Sequence, residues 1–134
     1  MKKSLILGIA ILVVVAAGVF FMMNRDSKSS AYEIKDGNFV ISGSFGTTVK
    51  LSEITGLELT DKIPQITYKS NGSGLGSVFK GEFTLEGSVK ARLYVDTSVP
   101  PFIKFVYNNI TFYINSDTAQ KTNELFEQLK SAVK

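Results

Sequence analysis

Nineteen consecutive residues, from Leu5 to Met23 (LILGIAILVVVAAGVFFMM), carry no charge, no proline and no polar side chain. As a helix they would span about 28 Å at about 1.5 Å per residue, close to the roughly 30 Å hydrocarbon core of a bilayer. This segment divides the chain: residues 1–24 read as a membrane anchor, residues 25–30 as a short polar linker, and residues 31–134 as one domain. Met1-Lys2-Lys3 supplies a basic start. Val15-Ala16-Ala17 meets the small-residue rule for signal cleavage, but Val19-Phe20-Phe21-Met22-Met23 continues the apolar run where a cleavable signal turns polar. An uncleaved signal anchor is therefore the expectation, with a cleaved, secreted form as the alternative. Lys2, Lys3 and the amine on one side, against Arg25 and Lys28 offset by Asp26 on the other, lean toward the N-terminus inside and the domain outside the membrane.

Charge removes one function class. The chain carries +3 at pH 7. With Lys2 and Lys3 set aside, thirteen basic and twelve acidic residues remain, a net +1 that gives no electrostatic footprint for nucleic acid. The chain has no Cys, His or Trp. Thiolate nucleophiles, disulfides, His-ligated zinc and Ser-His-Asp triads are thereby excluded. Without staples the domain depends on an apolar core, for which ten Phe and five Tyr, with many Val, Ile and Leu, provide the material.

The domain reads as short strands followed by one helix. Strands flank the turns Asp36-Gly37-Asn38, Glu86-Gly87-Ser88 and Asn108-Asn109, residue types that tolerate positive φ. Thr47 to Leu51 is a third strand, with a helical turn or corner at Ser52 to Thr55. Leu57 and Leu59 mark the next, and residues 65–69 another, with Ile66 and Tyr68 on a shared face. Residues 78–85 and 89–95 form a hairpin; in the second, Val89, Ala91, Leu93 and Val95 alternate with Lys90, Arg92, Tyr94 and Asp96. Pro100-Pro101 forces an extended connection to residues 102–107 and 110–115. Residues 117–133 change to a helical period, with Thr118, Thr122, Leu125, Phe126, Leu129, Ala132 and Val133 along one stripe. Ser116 or Asp117 is the expected cap, and the helix is expected to cover one face or end of the strands.

Local sequence adds a resemblance. Tyr32 to Gly43 (YEIKDGNFVISG) and then Val49 to Ile54 (VKLSEI) resemble the opening of bacterial pleckstrin-homology-like (PH-like) domains, with two strands around an acidic-Gly turn and a segment ending in an acidic-Ile corner. Asn71-Gly72 through Gly81, Arg92-Leu93-Tyr94-Val95, Pro101-Phe102-Ile103 and Tyr113-Ile114-Asn115 look like the later landmarks of one such family. The resemblance implies a mainly β, PH-like barrel or sandwich of about seven antiparallel strands, capped by one C-terminal α-helix and preceded by a single transmembrane helix. Its motifs are turns, corners and core positions, so they speak to fold. In phosphoinositide-binding eukaryotic relatives a basic loop between the first two strands holds the phosphates. Here that loop, Asp36-Gly37-Asn38, is short and acidic, and that ligand is not carried over.

Two groups of residues are candidates for ligand or partner contact. Gly72, Gly74 and Gly76, with Lys80 nearby, invite a phosphate-cradle reading, but strands on both sides make a mobile hairpin loop the simpler one. Lys90, Arg92 and Lys104, with Tyr94, sit on outward strand positions and would form a basic strip; otherwise they are edge charges that discourage strand pairing. Glu53, Glu58 and Asp61 are too spread for calcium. Asn109-Ile110-Thr111 matches a glycosylation triplet and reads as turn chemistry. No nucleophile–base pair stands out, and no catalytic, metal or cofactor residue is assigned. The expectation is a non-catalytic binding or adaptor module at the cell envelope, working on a protein or peptide partner or on copies of itself. The alternative is a lipid- or small-ligand-binding domain at the membrane surface.

Overall fold

The computed structural model describes residues 31–133. Its order is β1 (Ala31–Lys35), β2 (Asn38–Ser42), β3 (Thr47–Lys50), a 3-10 turn (Leu51–Glu53), β4 (Thr55–Thr60), β5 (Ile66–Leu75), β6 (Val78–Leu85), β7 (Val89–Asp96), β8 (Phe102–Tyr107), β9 (Ile110–Ile114) and α1 (Ala119–Val133). β1, β2 and β3 form one antiparallel sheet; the other six make a second sheet in the order β4-β8-β9-β7-β6-β5. The domain is thus mainly β, with nine strands in two sheets and one C-terminal helix, where the sequence suggested about seven strands. Among the described residues no helix is long and apolar enough to cross a membrane. The expected anchor, residues 5–23, lies outside the described residues.

Turn chemistry fixes the hairpins. Asp36 and Gly37 (φ 53° and 79°), Gly87 and Ser88 (85° and 62°), and Asn108 and Asn109 (54° and 65°) all take the left-handed values that two-residue hairpin turns of this hand require. Not every pairing is antiparallel, however. β7 and β9 run parallel, with Leu93 opposite Tyr113, because the β8–β9 hairpin returns to insert β9 between β8 and β7. The β7–β8 connection therefore crosses the end of β9, and buried Asn115 fills the space beneath it. Its Nδ2 donates to the carbonyls of Asp96 (2.9 Å) and Val99 (2.8 Å), while its Oδ1 accepts from the Asp96 amide (2.9 Å).

Both faces of the large sheet bury apolar side chains on their central strands. One face carries Tyr94, Ile103, Phe105, Phe112 and Ile114, packed against Tyr32, Phe39, Ile41 and Val49 of the small sheet and Leu125 and Leu129 of α1. The other carries Phe83, Leu85, Ala91, Leu93, Val95, Phe102 and Tyr113, with Ile63, Ile66 and Phe79 over them. Curvature encloses that second core. β4 and β5 lie at opposite ends of the six strands, roughly 24 Å apart if the sheet were flat. The chain from Thr60 to Ile66 reaches at most about 21 Å fully extended, so the sheet must curl to let it cross.

The helix starts slightly later than its sequence signals suggest. Thr118, rather than Ser116 or Asp117, is the cap: its Oγ1 accepts from the Lys121 amide at 3.1 Å. Asp117 instead pairs with Lys121 at 3.4 Å, and the Ser116 amide donates to the buried Thr122 Oγ1 at 2.8 Å.

Candidate functional site

The alternation along β7 sends Lys90, Arg92, Tyr94 and Asp96 to the face that meets the small sheet; Tyr94 is covered there and Arg92 and Asp96 are half-buried, while Lys90 near the start of the strand stays exposed. Tyr94 is only 1% exposed and its ring stacks on Phe112, with centroids 6.5 Å apart. Its hydroxyl donates to the carbonyl of Phe45 in the β2–β3 loop and accepts from Arg92 Nη1 at 3.1 Å. Burial pushes the Tyr94 phenol above its ordinary pKa; the Arg92 hydrogen bond and charge pull it back, and Glu82 adds a smaller upward push. Arg92 is itself committed, with Nη2 3.4 Å from Glu82 and Nη1 3.5 Å from the Phe45 carbonyl. Phe45 holds φ at 63°, an uncommon conformation for a side chain of that size, and these bonds hold it there. Arg92 and Tyr94 together latch the β2–β3 loop onto the sheet.

The cross-strand register brings Lys80 opposite Tyr94, Glu82 opposite Arg92 and Thr84 opposite Lys90. Ser70, Glu82, Thr84, Lys90, Arg92 and Ile110 border a depression of about 180 Å³. Lys80 and Lys90, unlike Arg92, make no ion pair among the described residues. Lys104 does not join them. It lies on β8 between Ile103 and Phe105, which face the small-sheet core, and therefore points to the curled face, 3.6 Å from Glu58. Beside it, burial raises the Tyr113 phenol above its ordinary pKa, with Lys104 lowering it and Glu58 raising it. Glu53, Glu58 and Asp61 do not gather; among the described residues no acidic group of metal-site size forms.

The glycine stretch is strand, not loop. β5 runs through Asn71, Gly72, Ser73, Gly74 and Leu75, and only Gly76 and Ser77 make the turn, with Gly76 at φ 62°. The glycines serve packing. A Cβ on Gly72 would stand 2.6 Å from the Lys80 carbonyl oxygen and 3.0 Å from the Phe83 ring, and one on Gly74 would stand 3.0 Å from the Phe79 ring. Phe79 and Phe83, edge to face at 5.8 Å, occupy the space those side chains would fill. Such a surface presents no phosphate cradle. Ile66 and Tyr68 do not share a face either: a register shift between them leaves Ile66 against the core and Tyr68 66% exposed.

β5 also ends the sheet, so its outer edge has no strand partner among the described residues. The edge has two unlike halves. Register shifts fall between Ile66 and Tyr68 and between Lys69 and Asn71, and Lys69 is the strand's one charge. Bulges and lysines are common protections against edge pairing. From Asn71 to Leu75 the register with β6 is unbroken and no charge is present. In sequence this half reads as a loop, because glycine and serine dominate it. The neighbouring Phe79 and Phe83 were the signal that could have marked it as a strand.

Compared with protein-family models, with curated proteins and with solved structures, the chain matches none.

Proposed function

We propose that this chain is a membrane-anchored, non-catalytic binding module of PH-like type that takes up an extended segment of a partner along the free edge of β5. The reading is carried by one observation: the run from Asn71 to Leu75, in regular register on one side, uncharged, and unpaired on the other among the described residues. Strand addition needs little else. Main-chain bonds along the edge supply affinity, and a side chain beside it, here exposed Tyr68, supplies selectivity. A second copy of the chain can supply the segment as well as a peptide can. The order of strands followed by one C-terminal helix supports PH-like type, and the residues from Tyr32 to Ile54 that resemble its opening form β1, β2, β3 and the 3-10 corner. The parallel β7–β9 pair is a departure from the all-antiparallel version. In this account residues 5–23 hold the module at the cell envelope, with the N-terminus inside and the domain outside.

Peptide display against the full chain in lipid nanodiscs tests the reading. Selected peptides should be extended and β-prone, should protect backbone amides between Asn71 and Leu75 from exchange, and should lose binding on Ser73→Lys, which places a charge on the edge. Peptides that protect only the surroundings of Lys80 and Lys90 would contradict it.

A further inference from the structure

Leu75 is the most exposed large apolar side chain among the described residues, at 82%. It sits at the tip of the β5–β6 hairpin, where residues 70–79 carry no charge and Gly74, Gly76 and Ser77 leave it unobstructed. A leucine so placed offers its full apolar surface for burial against an apolar phase within reach. The topology indicates what lies nearby. β1 begins at Ala31, so the chain preceding the domain arrives at this end of β1. Tyr32 Oη donates to the Asn115 carbonyl at 2.8 Å, Asn115 Nδ2 donates to the Asp96 carbonyl at 2.9 Å, and Ser77 Oγ donates to Asp96 Oδ1 at 2.7 Å. These three bonds tie the start of β1 to the β5–β6 turn. Both lie at one end of the domain.

Only seven residues, 24–30, separate Met23 from Ala31, a reach of at most about 28 Å. We infer that the β5–β6 turn rests on the lipid surface, with Leu75 entering the headgroup region and β5 standing upright above it. The inference relies on the proposed anchoring by residues 5–23. The carboxylate beside the turn is held back against the domain, with Asp96 Oδ1 accepting from Ser77 Oγ and from the Ser98 amide and hydroxyl. Tethering strengthens what one leucine contributes: an anchored domain meets the bilayer at high effective concentration, so a weak apolar contact suffices to set its orientation. An upright β5 turns its free edge sideways, toward other molecules held in the same membrane.

The absence of native cysteine makes the test direct. Ser73→Cys places an environment-sensitive fluorophore near the tip with Leu75 intact, and Glu86→Cys places one in the β6–β7 turn. Ser73 lies opposite Lys80, so the two are separated by the six steps from Lys80 to Glu86, about 20 Å. The full chain is reconstituted in phosphatidylcholine vesicles with a minority of phosphatidylglycerol, floated, and quenched with a headgroup-level nitroxide lipid. Blue-shifted emission and quenching at position 73 but not at 86, lost on adding Leu75→Asp, is the expected result. A chain that floats while position 73 stays as unquenched as position 86 overturns the inference and leaves the anchor standing. A chain that fails to float overturns both.

Discussion

β7 and β5 lie two strands apart in one sheet and read oppositely to what they are. β7, with Lys90, Arg92, Tyr94 and Asp96 on alternate positions, looks in sequence like a strand offering a charged face. From Ala91 to Val95 it is largely covered on both sides, and Arg92 and Tyr94 are spent holding the β2–β3 loop. β5, rich in glycine and serine, looks like a loop, yet is the longest strand and exposes all but two of its ten residues. Position in the sheet decides the difference. Charges at the centre are consumed by neighbours, whereas a plain edge keeps its backbone groups for a partner.

The comparison is broken most sharply by truncating one apolar side chain in each strand. Leu93→Ala removes a fully buried side chain of β7 and should cost about 3 kcal/mol in urea unfolding, whereas Leu75→Ala in β5 should change stability by less than about 0.5 kcal/mol. Equal losses would show that the β5 tip is packed. Gly72→Ala sharpens the point, because β5 is exposed at its edge but not above its glycines. Its Cβ would press on the Lys80 carbonyl and the Phe83 ring, and a loss of about 2 kcal/mol is expected.

Tyr94→Phe keeps the ring in the core and removes the hydroxyl between Arg92 and Phe45. A loss of about 1 kcal/mol should accompany faster amide exchange in residues 43–46, with α1 unchanged. Alkaline titration gives the smallest effect and a definite sign. Tyr94 and Tyr113 have folded-state pKa values raised by burial, so each is harder to ionise in the folded protein. The stability they contribute is complete below the ordinary phenol pKa and is lost as pH rises through the folded values. Unfolding followed across that window should show the decline, and Tyr94→Phe should reduce it.

Much of the fold was legible because its signals are local. The hairpin turns need positive φ, and Asp-Gly, Gly-Ser and Asn-Asn supply it; β6 and β8 fall where those turns and Pro100-Pro101 bound them. The apolar stripe of α1 likewise settled into the core through Leu125 and Leu129. What stayed hidden depends on contacts between distant segments. Asn115 shows its purpose only once β9 is known to slip between β8 and β7. Lys104 parts from Arg92 because the two strands send opposite alternation phases to a given face. Alternation reports two faces but not whether both are covered, which is why the polar half of β7 read as a surface.

The most direct measurement is residue-resolved amide exchange on the full chain in nanodiscs, alone and with a display-selected peptide. Alone, β7 amides should exchange only with global unfolding, while the outward-facing amides between Asn71 and Leu75 exchange orders of magnitude faster. Addition of the peptide should protect those β5 amides selectively. Protection that appears instead around Lys80 and Lys90, with the β5 edge unchanged, would contradict strand addition as the way this module binds.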